Sequence, residues 1–330
     1  MRRLLIAVAA AALATPALAG ETLDFILNWV PGGDHAPYYY AKKQGWYAKE
    51  GIELNLEPGK GSALSTQRVG AGANPIGLAD MAGVLVAKGK GADNVAVFNV
   101  YANSPQGMYW LKSSGIKGIK DFPGKKIGNP AGDAARVMWP ALAKANGVDP
   151  KSVTWVNIDP NAKLAALKAH TVDITTSFYN LHHVFKRELG ADMGFLAWRN
   201  AGLNTYGNSV IVNGAYLKSH RDLIARFTQV TQRAFAQCVK QPEPCVQALI
   251  DANGALNFKN ELGNWYLVEV LMSDKVSQTV ALGWHDEQRM QNDYNLVREY
   301  VGVEKPFDVK SVYTNAFLDK SIKMKPVQDD

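Results

Sequence analysis

The strand and helix patterns at residues 22–57 constrain the fold of this chain most. Residues 22–28, TLDFILN, have the apolar pattern of a strand, and residues 52–57, IELNLE, alternate apolar and polar side chains. Between them the pattern is helical from about Asp34 or His35, with Pro37 in the first turn, where proline is tolerated. Strand, helix and strand in this order predict a βαβ unit, which has two parallel strands and a right-handed crossover.

The same alternation continues along the chain and predicts an α/β protein. A second series follows, with strand patterns at GKKIG, VTWVNID and VDITTSF and helical patterns between them. From Arg221 onward the pattern is nearly all helical, and Pro242 and Pro244 separate one helix from the next. We therefore expect two sheets and a helical C-terminal third.

The N-terminal residues 1–19 have the pattern of a cleaved signal peptide. Two arginines precede a short apolar run, and small residues precede the expected cut after Ala19. The apolar run is too short for a membrane-spanning helix, which needs about 20 residues. Because no cysteine lies near the cut, a lipid anchor has no acceptor. These features predict an exported, soluble, periplasmic protein.

Charge and cysteine content narrow the function classes. The formal net charge is +6, and the lysines are scattered rather than gathered in a basic stripe, which argues against a nucleic-acid partner. The only cysteines, Cys238 and Cys245, flank a proline-rich turn, so in an oxidising compartment they are expected to form a disulfide. A metal role is disfavoured because no histidine or second cysteine pair lies near them.

The end of the first predicted strand is the candidate ligand site. In open parallel sheets, ligands bind beyond the carboxyl ends of the strands, where the helices begin. Asn28 and Trp29 end this strand, and the helix that follows begins near His35. We expect Asn28, Trp29 and one of Tyr38 or Tyr39 to face a flat, polar-edged molecule, with His35 as a hydrogen-bond donor to it. The alternative is that the tryptophan and tyrosines only pack in the core.

Several segments resemble a known family. LNWVPGGDHAPYYYAKKQGWYAKEGIEL, IKGIKDFPGKKIGNPAG and ALGWHDEQRMQNDYNLV are similar to segments of the periplasmic binding proteins for thiamine-pyrimidine precursors. That group also includes fungal pyrimidine-precursor synthases. The resemblance covers essentially the whole chain after the signal peptide. It implies a two-lobed type II periplasmic binding protein fold with a ligand cleft at a two-strand hinge. Lobe one would be residues 20–103 plus 213–330, and lobe two residues 104–212.

The resemblance also implies the second half of the site. In GNPAGDAAR, Gly132 and Asp133 would approach the ligand, and Arg136 would either reach the cleft or be solvated. Tyr179 and Asn180 match a segment that contacts ligand in the pyrimidine binders. Those binders carry an acidic residue just beyond it, where this chain has LHH. Asp80, after another strand, is either ligand-facing or only a helix N-cap.

The expected function is capture of a small planar, pyrimidine-like ligand by hinge closure and its delivery to an ABC transporter permease. Related branches of the superfamily carry alkanesulfonates, taurine, nitrate or riboflavin, and these remain alternatives. We expect a monomer without cofactor or metal. The H-E-x-x-H, G-x-S-x-G and Walker patterns are missing from the sequence. Because the cysteines are also misplaced for a synthase, a binding protein is expected rather than an enzyme.

Overall fold

A computed structural model describes residues 20–327, so the predicted signal peptide at residues 1–19 lies outside the described part of the chain. Within residues 20–327, no helix is both long and apolar enough to cross a membrane. The strands are, in chain order, β1 (Glu21–Ile26), β2 (Ile52–Glu57), β3 (Ile76–Asp80), β4 (Asn94–Asn99), β5 (Gln106–Leu111), β6 (Lys126–Gly128), β7 (Thr154–Val156), β8 (Ile174–Phe178), β9 (Met193–Ala197) and β10 (Asn208–Asn213).

The α-helices alternate with the strands up to β8 and then dominate the C-terminal third. They are α1 (Ala36–Lys43), α2 (Trp46–Lys49), α3 (Ser62–Gly70), α4 (Met81–Gly89), α5 (Ala134–Ala145), α6 (Lys163–Lys168), α7 (His182–Leu189), α8 (Gly214–Ser219), α9 (Arg221–Lys240), α10 (Pro242–Ala252), α11 (Phe258–Met272), α12 (Lys275–Thr279) and α13 (Glu287–Tyr300). The predicted α/β class with a helical C-terminal segment is confirmed.

Two five-stranded sheets form two lobes. The first sheet has the order β2-β1-β3-β10-β4, and β1 pairs in parallel with both β2 and β3, which confirms the predicted βαβ unit. The second sheet has the order β7-β6-β8-β5-β9. The chain passes from β4 into β5 and returns from β9 into β10, so two connections join the lobes. Each sheet therefore contains one strand that follows a crossing, and that strand runs antiparallel to its neighbours.

Strand β10 corrects the expected boundary of lobe two. The range 104–212 assigns most of this strand to the second lobe, but β10 pairs with β3 and β4 in the first sheet. The second lobe is therefore built on β5 to β9 with α5, α6 and α7. The C-terminal helices α9, α10 and α11 pack on the first sheet, and the buried disulfide between Cys238 and Cys245 links α9 to α10, as predicted.

The two lobes touch, so the molecule is in a closed form. A single buried apolar cluster includes side chains from both lobes, among them Met81 of α4 and Met138 of α5. The two backbones also meet directly, because the Ala63 N–H donates to the Gly132 carbonyl at 3.2 Å. Gly61 lies at the same contact with φ 130°, and a β-carbon there would lie 2.1 Å from the Gly132 carbonyl oxygen. Only glycine allows this approach.

Candidate ligand-binding site

A cavity of about 320 Å³ lies between the lobes, beyond the carboxyl end of β1. Its size falls at the lower end of the range of small-molecule sites. The first lobe contributes Asn28, Trp29, Asp34, Glu261 and Asn264 to its wall, among others. The second lobe contributes Asp133, Lys163, Phe178, Asn180 and Phe185, among others. The strand-end position that the sequence predicted is therefore where the cavity lies.

Asn28 is held in one orientation by His35. The Gly32 N–H donates to His35 Nδ1 at 3.1 Å, so this nitrogen is an acceptor and Nε2 carries the proton. His35 Nε2 therefore donates to Asn28 Oδ1, 3.0 Å away. Complete burial lowers the pKa of His35 and keeps the ring neutral, although nearby Asp34 opposes this shift. Because its oxygen is occupied, Asn28 presents its NH₂ group to the cavity. His35 itself is fully buried and is not among the residues that line the cavity, so the structure gives it the role of orienting Asn28. Its direct contact with a ligand stays a prediction.

Trp29 lines the cavity and meets a cation from the opposite lobe. Lys163 Nζ lies 4.6 Å from the centroid of the indole, within the range of a cation–π contact. The same ammonium pairs with Asp133 at 2.5 Å, and both side chains are buried. Asp133 also accepts from the Ala135 N–H at 2.9 Å and so caps α5. On the second-lobe wall, the charges of Lys163 and Asp133 thus neutralise each other without a ligand.

The two tyrosines expected at the cavity lie elsewhere. Tyr38 is completely buried against Phe25 and Phe235, with ring centroids 5.0 and 5.3 Å away. Tyr39 is half-buried against the same core. The reason is the position of α1, which packs its apolar face on α9 and α10 rather than towards the cleft. The expectation that one of these rings faces the ligand is therefore not met.

Asp80 and Arg136 are also turned away from the cavity. Asp80 accepts from the Ala82 N–H at 3.2 Å and caps α4, and burial raises its pKa to about 7. Arg136 donates to the Asn129 carbonyl at 2.9 Å, and its guanidinium lies 5.0 Å from the Trp155 ring. Asp80 therefore has the N-cap role that was one of its two alternatives. Arg136 meets neither of its alternatives, because it does not line the cavity and is partly buried rather than solvated.

Gly132 and Tyr179 lie beside the cavity without lining it. Gly132 makes the backbone contact between the lobes described above. Tyr179 is buried, with the Arg199 guanidinium 4.2 Å from its ring. Its neighbour Asn180 does line the cavity, and its Nδ2 donates to Asn264 Oδ1 of the first lobe at 3.1 Å. Asn180 Oδ1 is buried without a hydrogen-bond partner in the described structure.

Sequence reasoning missed several polar wall residues, among them Asp34, Lys163, Glu261 and Asn264. Lys163 follows β7 closely, so the strand-end rule could have found it. Glu261 and Asn264 belong to α11, and nothing local in that helix points to a site. Glu261 Oε2 accepts from the Gly33 N–H at 2.6 Å. Burial and the carboxylate of Asp34 together raise the pKa of Glu261 to about 7, although the bond from Gly33 opposes this. Among residues 20–327, no group of three or more His, Cys, Asp or Glu side chains is placed to hold a metal.

The sequence is similar to a known protein family and to several named proteins. Residues 33–245 match the family model described as NMT1/THI5 like. A Legionella pneumophila protein named 4-amino-5-hydroxymethyl-2-methylpyrimidine phosphate synthase is 27% identical, with 90% of this chain and 92% of the relative covered. A formylaminopyrimidine-binding protein from Halalkalibacterium halodurans is 20% identical over 72% of each chain.

A solved structure supports the same fold. The alkanesulfonate-binding protein of Xanthomonas axonopodis pv. citri, bound to MOPS, superposes with a TM-score of 0.68 at 15% identity, covering 91% of this chain and 99% of that one. At this identity the likeness concerns the fold, which is the two-lobed type II periplasmic binding protein fold. The family match extends over well more than half of the residues. The chain therefore belongs to the NMT1/THI5-like family.

Proposed function

We propose that this protein is the extracytoplasmic solute-binding component of an ABC importer. It captures a small planar, pyrimidine-like heterocycle by closure of the lobes and delivers it to a membrane permease. The observation that carries the proposal is the cavity between the lobes, where the Trp29 indole and the oriented Asn28 amide meet side chains of the other lobe. Closure around a ligand at such an interface is the established way that two-lobed binders work.

The cavity wall suits a flat guest with polar edges. Trp29, Phe178 and Phe185 offer aromatic surface, and aromatic faces favour stacking on planar rings. The NH₂ group of Asn28 can donate to a ring nitrogen or carbonyl. On the opposite wall, Asn180 Oδ1 is an acceptor without a donor in the described structure. The names of two relatives also refer to pyrimidines, which supports this ligand class.

An alkanesulfonate or nitrate ligand is the first alternative, since a solved structure of the same fold is an alkanesulfonate binder. Such an anion requires an available cation. The one lysine that lines this cavity is already paired with Asp133, and arginine is missing from the described wall. The cavity therefore favours the heterocycle.

The second alternative is the synthase reaction, which the similarity to the Legionella protein suggests. It is tested directly by incubating the purified protein with its bound ligand and following the ligand by mass spectrometry. Conversion of the ligand over repeated turnovers would establish an enzyme, whereas recovery of unchanged ligand supports capture and release.

The main test identifies the ligand. Small molecules released from natively purified protein are identified by mass spectrometry. In parallel, a thermal-shift panel compares 4-amino-5-hydroxymethyl-2-methylpyrimidine with riboflavin, taurine and MOPS. A ligand at about 100 times its dissociation constant stabilises the protein by about 2.7 kcal/mol. We expect the pyrimidine to raise the melting temperature. A shift with the sulfonates alone would overturn the proposed ligand class.

A further inference from the structure

Three polar side chains converge on the turn at Gly32 and Gly33, on the first-lobe wall of the cavity. A β-carbon at Gly32 would lie 3.2 Å from Asp34 Oδ1 and 3.5 Å from both Glu261 Oε2 and Asn264 Nδ2. At Gly33 a β-carbon would lie 2.2 Å from the Glu261 carbonyl oxygen, so the turn lies directly against α11. A helix from the C-terminal third is thereby brought to the same point as the end of β1.

The two carboxylates in this group lack a cationic partner. Asp34 accepts from the Tyr101 hydroxyl at 3.1 Å, and Glu261 accepts from the Gly33 N–H. Within residues 20–327, neither forms an ion pair with a lysine or arginine. The nearest basic group to Asp34 is His35 Nδ1 at 3.3 Å, and burial keeps that ring neutral. Asp34 is buried and Glu261 is partly buried, and removing a carboxylate from water without a cation is costly. A positively charged or donor-rich guest would offset this cost.

An independent observation on the opposite wall points to the same kind of guest. Asn180 is 4% exposed and lines the cavity, and its Oδ1 has no hydrogen-bond partner among the described residues. Its orientation is fixed because its Nδ2 donates to Asn264 Oδ1. A buried acceptor without a donor is rare in native proteins. The second lobe thus also has an acceptor without a donor beside the cavity, next to α11.

We propose that Glu261, with Asp34 beside it, is a specificity-determining residue that binds the cationic or amine-bearing edge of the heterocycle. This inference rests on the proposed function and adds to it the charge of the guest and the residue that selects it. An amidine-like edge, in which two N–H donors share a positive charge, fits two neighbouring carboxylates best.

Glu261 should make capture depend on pH. Its pKa is about 7, so it is mostly protonated at about pH 5.5 and mostly ionised at about pH 8. The other groups that face it are Asp34 and His35 beside the turn, and His183 and Arg187, which bond to Asn260 of α11. Burial lowers the pKa of both histidines and so favours their neutral forms, which reduces any positive charge that they could lose as the pH rises. A guest that stays cationic should therefore bind more tightly as the pH rises.

The test uses three flat probes of equal shape and different charge: benzamidine, benzamide and benzoate. Their affinities are measured by calorimetry between about pH 5.5 and about pH 8. We expect benzamidine to bind best and its affinity to rise with pH, whereas benzamide should bind weakly at every pH. Binding of benzoate as tight as that of benzamidine, or no binding of benzamidine, would overturn the inference.

Two variants on α11 provide the matched comparison. Glu261→Gln retains an acceptor for the Gly33 N–H but removes the charge. It should weaken benzamidine binding about tenfold at about pH 8 and much less at about pH 5.5. Glu269→Gln is the control, because burial also raises the pKa of Glu269 to about 7 but this residue does not line the cavity.

The control should retain the parent pH profile, and an equal effect of both variants would contradict the proposal. If 4-amino-5-hydroxymethyl-2-methylpyrimidine binds while Glu261→Gln changes nothing, the proposed function stands and this inference fails. If natively purified protein carries no planar ligand and that pyrimidine does not bind either, the proposed function itself fails.

Discussion

The two walls of the cavity treat charge in opposite ways. On the second-lobe wall, Lys163 and Asp133 neutralise each other and are buried together. On the first-lobe wall, Asp34 and Glu261 have no cationic partner in the described chain. The difference indicates that the two lobes have different roles in binding. In the proposed mode of binding, the first lobe selects the ligand by charge, and the second lobe closes over it with an uncharged wall that carries aromatic surface and Asn180.

The largest expected effect tests whether Lys163 and Asp133 neutralise each other on the second-lobe wall. Lys163→Met should lower the free energy of unfolding by about 3 kcal/mol, because it leaves Asp133 buried without its cation. Denaturant titration at neutral pH measures the loss. The double variant Lys163→Met with Asp133→Asn should recover most of it. If the single variant is as stable as the parent, the pair does not neutralise the wall and the comparison fails.

The next effect concerns the indole of Trp29, which belongs to the first-lobe wall and contacts Lys163 of the second-lobe wall. Trp29→Ala should weaken binding of the pyrimidine by about 2 kcal/mol, since buried aromatic anchors dominate such sites. Isothermal titration measures the change, and the unliganded variant should remain folded. Trp46→Ala is the control, because Trp46 lies on the same lobe against Tyr40 and away from the cavity. Equal losses in the two variants would remove Trp29 from the site.

The smallest effect concerns the hydrogen bond between the walls. Asn180→Ala removes both the donor to Asn264 and the free acceptor, and should cost about 1 kcal/mol of binding. Stopped-flow measurements should show the loss mainly as faster dissociation, because the bond exists only when the lobes are closed. Asn260→Ala, which removes an exposed interlobe bond to Arg187, should have a smaller effect. A larger loss for Asn260→Ala than for Asn180→Ala would mean that the exposed bond between Asn260 and Arg187, rather than the contact in the cavity, holds the lobes together.

The fold could be predicted well from the sequence because strand and helix patterns are formed by residues close together in the chain. Strand and helix periodicity identified β1, β2 and the alternation that follows, and Asn28 and Trp29 were located by the rule that strand ends form sites. The tyrosines were misassigned because the direction of a side chain on α1 depends on α9 and α10, which come almost 200 residues later. Glu261 meets Gly33 across 228 residues, and only the folded chain shows that meeting.

The contact between Gly61 and Gly132 has a consequence for engineering. The backbones of the two lobes approach closely at Gly61 and Gly132 because neither residue has a side chain. An added methyl group at this contact should prevent full closure of the lobes. Gly61→Ala places a methyl group against the Gly132 carbonyl oxygen and also strains the turn before α3, because φ at this position is 130°. The variant should hold the molecule ajar, and small-angle scattering would show a larger radius of gyration with saturating ligand than for the parent. Such a protein would present its open form to the proposed permease even with ligand bound, which makes it a tool for asking which form the transporter recognises.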